Sequence, residues 1–253
     1  MPKLAARRFD AVLFDLDGVL TSTARVHAAC WKRMFDEYLE RRTATTDERF
    51  EPFRIETDYK RHVDGRPRYD GVREFLASRG ITLPKGAASD PPAAETVCGL
   101  GNRKNELFHQ MLAVEPPEVY PGSLSFVHTL REHGVRTAVV SGSRNAGPVL
   151  AAAGIAQLFE VRVDGLTAAE RGLAGKPAPD TFLEAARLLA VEPSRAVVIE
   201  DAASGVTAGR AGGFGLVVGV AREGGQADLR EHGADMVVAD LAELEVTDDN
   251  HEA

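Results

Sequence analysis

Five short runs of aliphatic and β-branched residues, at 11–14, 137–140, 196–199, 216–220 and 236–238, limit what this chain can fold into more than any other feature. None of them alternates apolar with charged residues, which is the pattern of strands buried on both faces and so of a parallel sheet covered by helices. Between them lie amphipathic segments with punctuated ends. Pro121 and Gly122 open one that carries Leu124, Val127 and Leu130 and stops at Gly134; Pro179 opens another that runs through Phe182, Ala186 and Leu189. Alternating strand and helix signals predict a doubly wound α/β fold.

The stretch 25–114 breaks this rhythm. Helical patterns are expected at 27–42, where Trp31, Phe35, Tyr38 and Leu39 share one face, and at 69–78 and 92–112, with loops at 42–52 and 84–92. Few strand signals occur there. The expected architecture is a Rossmann-like core formed by 1–24 and 115–253, with an α-helical cap, 25–114, inserted after the first strand and a cleft between the two. No internal repeat or low-complexity tract is present, and 248–253 reads as a disordered tail.

In an open parallel sheet, ligands bind beyond the carboxyl ends of the strands. The residues there are unusually polar: Asp15-Leu16-Asp17-Gly18 after the first run, Ser141-Gly142-Ser143 after the second, Glu200-Asp201 after the third, and Gly175-Lys176-Pro177 ahead of a helix start. Taken singly, each is an ordinary turn or helix cap. Taken together, four carboxylates at one sheet edge would repel one another, and a hard, oxygen-seeking cation such as Mg2+, with Lys176 beside it, would neutralise them. That combination suits phosphoryl transfer, where the protein mainly positions groups and stabilises charge. Asp15 is the candidate nucleophile and Asp17 the candidate general acid and base. Ser141 and nearby backbone N–H groups would hold phosphate oxygens, and Gly18 would let the chain bend.

Composition narrows the remaining classes. The formal net charge of -8, with dispersed basic residues, offers no electrostatic footprint for nucleic acid. No stretch approaches the ~18 uninterrupted apolar residues of a membrane span. Cys30 and Cys98 form no CxxC or disulfide framework, which fits a reducing compartment, and both read as buried small hydrophobes. No apolar signal region follows the basic N-terminus. A cytoplasmic, monomeric protein acting on small molecules is expected.

Four motifs carry a family resemblance: Phe14-Asp15-Leu16-Asp17-Gly18-Val19-Leu20-Thr21, Val140-Ser141-Gly142-Ser143, Gly175-Lys176-Pro177-Ala178-Pro179-Asp180, and Ile199-Glu200-Asp201-Ala202-Ala203-Ser204-Gly205-Val206. In this order they resemble the haloacid dehalogenase-like superfamily across nearly the whole chain. Asp17, at the second acidic position, resembles phosphatases and phosphomutases and argues against dehalogenation. The stretches Arg103-Lys104-Asn105 and Val119-Tyr120-Pro121-Gly122 resemble the β-phosphoglucomutase group.

That resemblance implies Mg2+ bound by Asp15, the backbone carbonyl of Asp17, Glu200 and Asp201. It implies substrate contacts from Ser143 and Asn145, hinge roles for Thr23 and His27, a sugar-phosphate contact from Lys104, and a grip on a distal phosphate from Arg68. It further implies conversion of β-glucose 1-phosphate to glucose 6-phosphate, with glucose 1,6-bisphosphate as primer. Two positions depart from the pattern and leave the sugar open: Asp64 stands where such mutases carry a lysine, with Arg66 nearby, and Ala202 stands where better-studied members carry a serine.

Three readings of function stay open. A mutase returns the phosphoryl group to a sugar hydroxyl, whereas a phosphatase gives it to water, and both need Asp15 and Asp17. A non-catalytic phospho-acceptor or sugar-phosphate binding module is the reading from another class. His27 and Lys104 also admit a plainer assignment, as a packed and a solvated helix residue.

Overall fold

The structure, a computed structural model, describes residues 2–44, 49–114, 117–222 and 224–248. Residues 45–48 of the expected loop and 249–253 of the expected tail lie outside the described residues. The chain divides into two compact units, 1–22 with 117–253, and 23–116.

In the first unit the strands are β1 (Lys3–Ala5), β2 (Ala11–Phe14), β3 (Arg136–Val140), β4 (Val161–Val163), β5 (Ala196–Glu200), β6 (Leu216–Val220), β7 (Met236–Val238) and β8 (Glu245–Thr247). Six form a parallel sheet in the order β4-β3-β2-β5-β6-β7, so β2 is central and the strand order reverses beside it, as in a doubly wound fold. All five apolar runs are strands. The sequence reading missed three-residue β4, whose middle residue is Arg162, and missed the separate parallel pair β1 and β8. Such short strands, partnered only across the whole chain, leave little periodicity to read.

The second unit contains α1 (Thr23–Thr43), a π turn at Ile55–Tyr59 leading into α2 (Lys60–His62), α3 (Arg68–Ser78) and α4 (Val97–Val114), with no strand among its described residues. The expected helix at 92–112 begins five residues later. The reason is a cap: the Gly99 N–H donates to Thr96 Oγ1 at 2.9 Å, so Thr96 opens the helix and the preceding prolines lie in turns. The apolar face expected on α1 is real. Trp31, Phe35, Tyr38 and Leu39 are buried, and the Phe35 ring packs against Phe53 and Phe75 at centroid distances of 5.0 and 4.2 Å.

Back in the first unit, the sheet is covered by α5 (Pro121–Glu132), α6 (Ala146–Ala152), α7 (Gly165–Arg171), α8 (Asp180–Leu188), α9 (Ala203–Ala211) and α10 (Gln226–Glu231). Phe182 of α8, Val206 of α9 and Leu229 of α10 enter one core with β-strand residues such as Leu13, Val140 and Val198. Burying side chains of this size stabilises by roughly 1.5–3 kcal/mol each, and the rigid sheet that results fixes what its strand ends present. No described helix is long and apolar enough to cross a membrane.

Candidate active site

Register places the first acidic pair. Phe14 pairs with Ile199 on one side and Val139 on the other, and the Asp15 N–H continues the ladder to Ile199 O at 2.9 Å. Asp15 therefore leaves the sheet beside Glu200 and Val140. Asp15, Glu200 and Asp201 each offer a carboxylate oxygen, and these oxygens lie within 4.8 Å of one another. Glu200 is fully buried at the end of β5 and Asp15 nearly so, while Asp201 is half-buried.

Lys176 enters from the loop before α8. Its Nζ donates to Asp15 Oδ1 at 2.5 Å and to Val140 O at 3.0 Å, and it pairs with Glu200 Oε1. Two hydrogen bonds and the ion pair to Glu200 hold the ammonium in place, so the side chain acts as a fixed point charge. Burial alone would lower its pKa, but Asp15 and Glu200 push it above the ordinary lysine value. Burial raises the Asp15 carboxyl well above the usual carboxylate range, with Glu200 and Asp17 adding to the rise and Lys176 opposing it. The local balance is one cation against several anions. An all-carboxylate donor set of this kind fits a hard divalent cation and does not suit a soft metal.

Two glycines make the crowding possible. Gly18 has φ +89°, and a Cβ there would fall on the Asp201 carboxylate; a Cβ on Gly205 would fall on that of Glu200. The loop after β3 is ordered by its own hydroxyls: Ser141 Oγ accepts from the Ser143 N–H, and Ser143 Oγ from the Asn145 N–H, both at 3.1 Å. Ser141 and Asn145 are buried.

The second unit holds Thr23, His27, Arg68 and Lys104. Lys104 is buried against His27 Nδ1, over the rings of Trp31 and Phe108, so it is not the solvated helix residue of the plainer assignment. Arg68 Nη2 donates to Asn105 Oδ1 at 2.8 Å. Sequence reasoning named Gly205 only as part of the fourth motif and did not single out Ser123 or Arg222. For Arg222 a signal existed, because it follows β6 as the acidic residues follow β2 and β5.

Comparison with known proteins follows the same motifs. The sequence profile of haloacid dehalogenase-like hydrolases matches residues 9–213. This chain belongs to that family. Within the haloacid dehalogenase-like proteins it is 54% identical to the β-phosphoglucomutase of Mycobacterium bovis over 237 residues, 92% of this chain and 90% of the relative. It is 29% identical to a fructose-1-phosphate phosphatase of Escherichia coli over 216 residues, 83% of this chain and 96% of the relative. The fold matches the crystal structure of a β-phosphoglucomutase from Clostridium difficile with a TM-score of 0.70 at 23% identity, covering 93% of this chain and 92% of that one. The protein is an enzyme of the haloacid dehalogenase type, in its β-phosphoglucomutase-like group.

Proposed function

We propose that this enzyme moves the phosphoryl group of a sugar phosphate through an aspartyl phosphate on Asp15, as a β-phosphoglucomutase converting β-glucose 1-phosphate to glucose 6-phosphate. The supporting observation is the buried Asp15 carboxylate, held on one oxygen by Lys176 and flanked by Glu200 and Asp201. The likeness to the Mycobacterium bovis enzyme supports the choice of sugar.

An Asp15 oxygen attacks phosphorus, the bond from phosphorus to the bridging oxygen breaks, and Asp17 protonates that departing oxygen. In the return step Asp17 takes the proton of the incoming sugar hydroxyl as its oxygen displaces Asp15. Glucose 1,6-bisphosphate primes the enzyme. Its phosphoryl group then passes to O6 of β-glucose 1-phosphate, and the resulting bisphosphate gives up its 1-phosphoryl group to Asp15, leaving glucose 6-phosphate. The Ser141 hydroxyl, the Gly142 backbone, Ser143 and Asn145 hold phosphate oxygens. Thr23, His27, Arg68 and Lys104 are assigned to binding the sugar phosphate. Mg2+, held by Asp15, Glu200, Asp201 and the Asp17 carbonyl, would offset the negative charge that carboxylates and phosphate bring together.

The test is phosphorus NMR on β-glucose 1-phosphate with Mg2+ and a trace of glucose 1,6-bisphosphate. Glucose 6-phosphate should accumulate with little inorganic phosphate, and Asp15→Asn should lower turnover by at least about ten-thousandfold. The Escherichia coli relative favours one competing reading: inorganic phosphate released in step with substrate loss, without isomerised sugar, would make the enzyme a phosphatase. Turnover that survives Asp15→Asn would remove Asp15 as the nucleophile, and a wild-type protein that binds sugar phosphates without turning any over would leave the binding-module reading.

A further inference from the structure

The turn that carries Asp17 is closed at both ends by its own backbone. Gly18 N–H donates to Thr21 O at 2.7 Å, and the N–H groups of Leu20 and Thr21 both donate to Leu16 O at 3.0 Å. The carbonyls of Gly18 and Val19, in the middle of the turn, are satisfied from a different part of the chain. Arg222, in the loop after β6, donates from Nε to Gly18 O at 3.1 Å and from Nη2 to Val19 O at 3.3 Å. Ser123 of α5 donates to the same Val19 O at 2.6 Å and accepts from Arg222 Nη2 at 2.9 Å. The guanidinium is itself held in place: Nη1 pairs with Asp240 Oδ2, and the Tyr120 ring centroid lies 3.7 Å away.

We infer that Arg222 is a positioning residue whose two-pronged hold on the Gly18 and Val19 carbonyls keeps Asp17 aimed at the departing oxygen. The inference rests on the phosphoryl-transfer reading with Asp17 as the acid. A planar guanidinium that grips two successive carbonyls with its rigid fork of N–H groups fixes two successive peptide planes, which an ammonium on a flexible stem holds less rigidly. The need is local, because Gly18 at φ +89° would otherwise give the turn extra freedom next to the acid. A proton donor displaced by about 1 Å loses on the order of a hundredfold in rate. Arg222 touches backbone, Ser123, Asp240 and Tyr120, so its effect on chemistry is exerted through the turn.

Leaving-group dependence separates this role from general support of the fold. Departure of a sugar oxygen needs protonation, whereas p-nitrophenolate leaves without it. Arg222→Met should lower kcat on β-glucose 1-phosphate by roughly 30- to 100-fold with KM changed less than about threefold. The first-turnover release of p-nitrophenolate from p-nitrophenyl phosphate should fall less than about threefold. Arg222→Lys, which keeps the charge but loses the rigid fork, should give an intermediate loss with the same signature. Ser123→Ala should show a smaller loss of the same pattern, and it carries the test if Arg222→Met does not fold. Equal losses on both substrates, or an effect confined to KM, would overturn the assignment of Arg222. Wild-type turnover in a parallel Asp15→Asn variant would instead bring down the phosphoryl-transfer reading.

Discussion

Lys176 in the first unit and Lys104 in the second are both buried, 3% and 4% exposed, yet they are accommodated by different physics. Lys176 is gripped by the carboxylates of Asp15 and Glu200. Lys104 lies against a histidine nitrogen, with its Nζ 5.3 and 4.9 Å from the ring centroids of Trp31 and Phe108. Carboxylates in a dry site interact strongly but become a burden once the cation is gone, because each is then a buried charge without compensation. Aromatic faces attract a cation by only about 0.5–2 kcal/mol and remain comfortable apolar surfaces without it. The first unit therefore ties its stability to its charge pattern in a way the second does not.

The largest effect that follows is on Lys176→Met. It should destabilise the first unit by about 3–5 kcal/mol in the absence of divalent cation, read from denaturant midpoints, with added Mg2+ restoring part of the loss. A variant as stable as the wild type would show that the carboxylates around Lys176 do not depend on it.

A smaller effect concerns pH. The raised Asp15 value means that the folded protein keeps a proton the unfolded chain releases near about 3.9. Stability of the metal-free enzyme should therefore fall as pH rises through the window between that ordinary value and the raised one. The raised Lys176 value acts at the other end: its contribution is complete below about 10.4 and is lost only as pH climbs through the raised value. Urea midpoints between pH 4 and 8 in chelator, then in Mg2+, check the first slope. A metal-free stability that climbed steadily across that range would break the picture of excess anionic charge.

The smallest effect sharpens the contrast from the other side. Lys104→Met should change folding stability by less than about 1 kcal/mol, since the histidine and rings left behind are not stranded charges. The same variant should lower kcat/KM on the sugar phosphate by roughly tenfold, the loss of one charge-assisted contact. A stability loss as large as that of Lys176→Met would erase the distinction between the two units.

Much of the molecule was legible from local pattern. The five apolar runs become strands because continuous β-branched segments have nowhere to go but a sheet covered on both faces. The residues just beyond them, Asp15, Ser141 and Glu200, are set at the sheet edge by the same rule. The α1 core residues Trp31, Phe35, Tyr38 and Leu39 followed from helical spacing in the same way. What stayed hidden was short or partnered at long range: Val161-Arg162-Val163 as a strand, the β1 and β8 pair, and the start of α4 at a threonine cap.

The sequence alone determined the doubly wound class, the order of the motifs and the identity of the groups at the strand ends, because those depend on spacing along one segment at a time. Tertiary structure alone decided that Lys176 would be held between Asp15, Val140 O and Glu200, that Gly205 would leave room for Glu200, and that Arg222 would reach back to the Gly18 and Val19 carbonyls. Those facts depend on distances between segments up to 204 residues apart. Only the assembled sheet and its packed helices fix such distances.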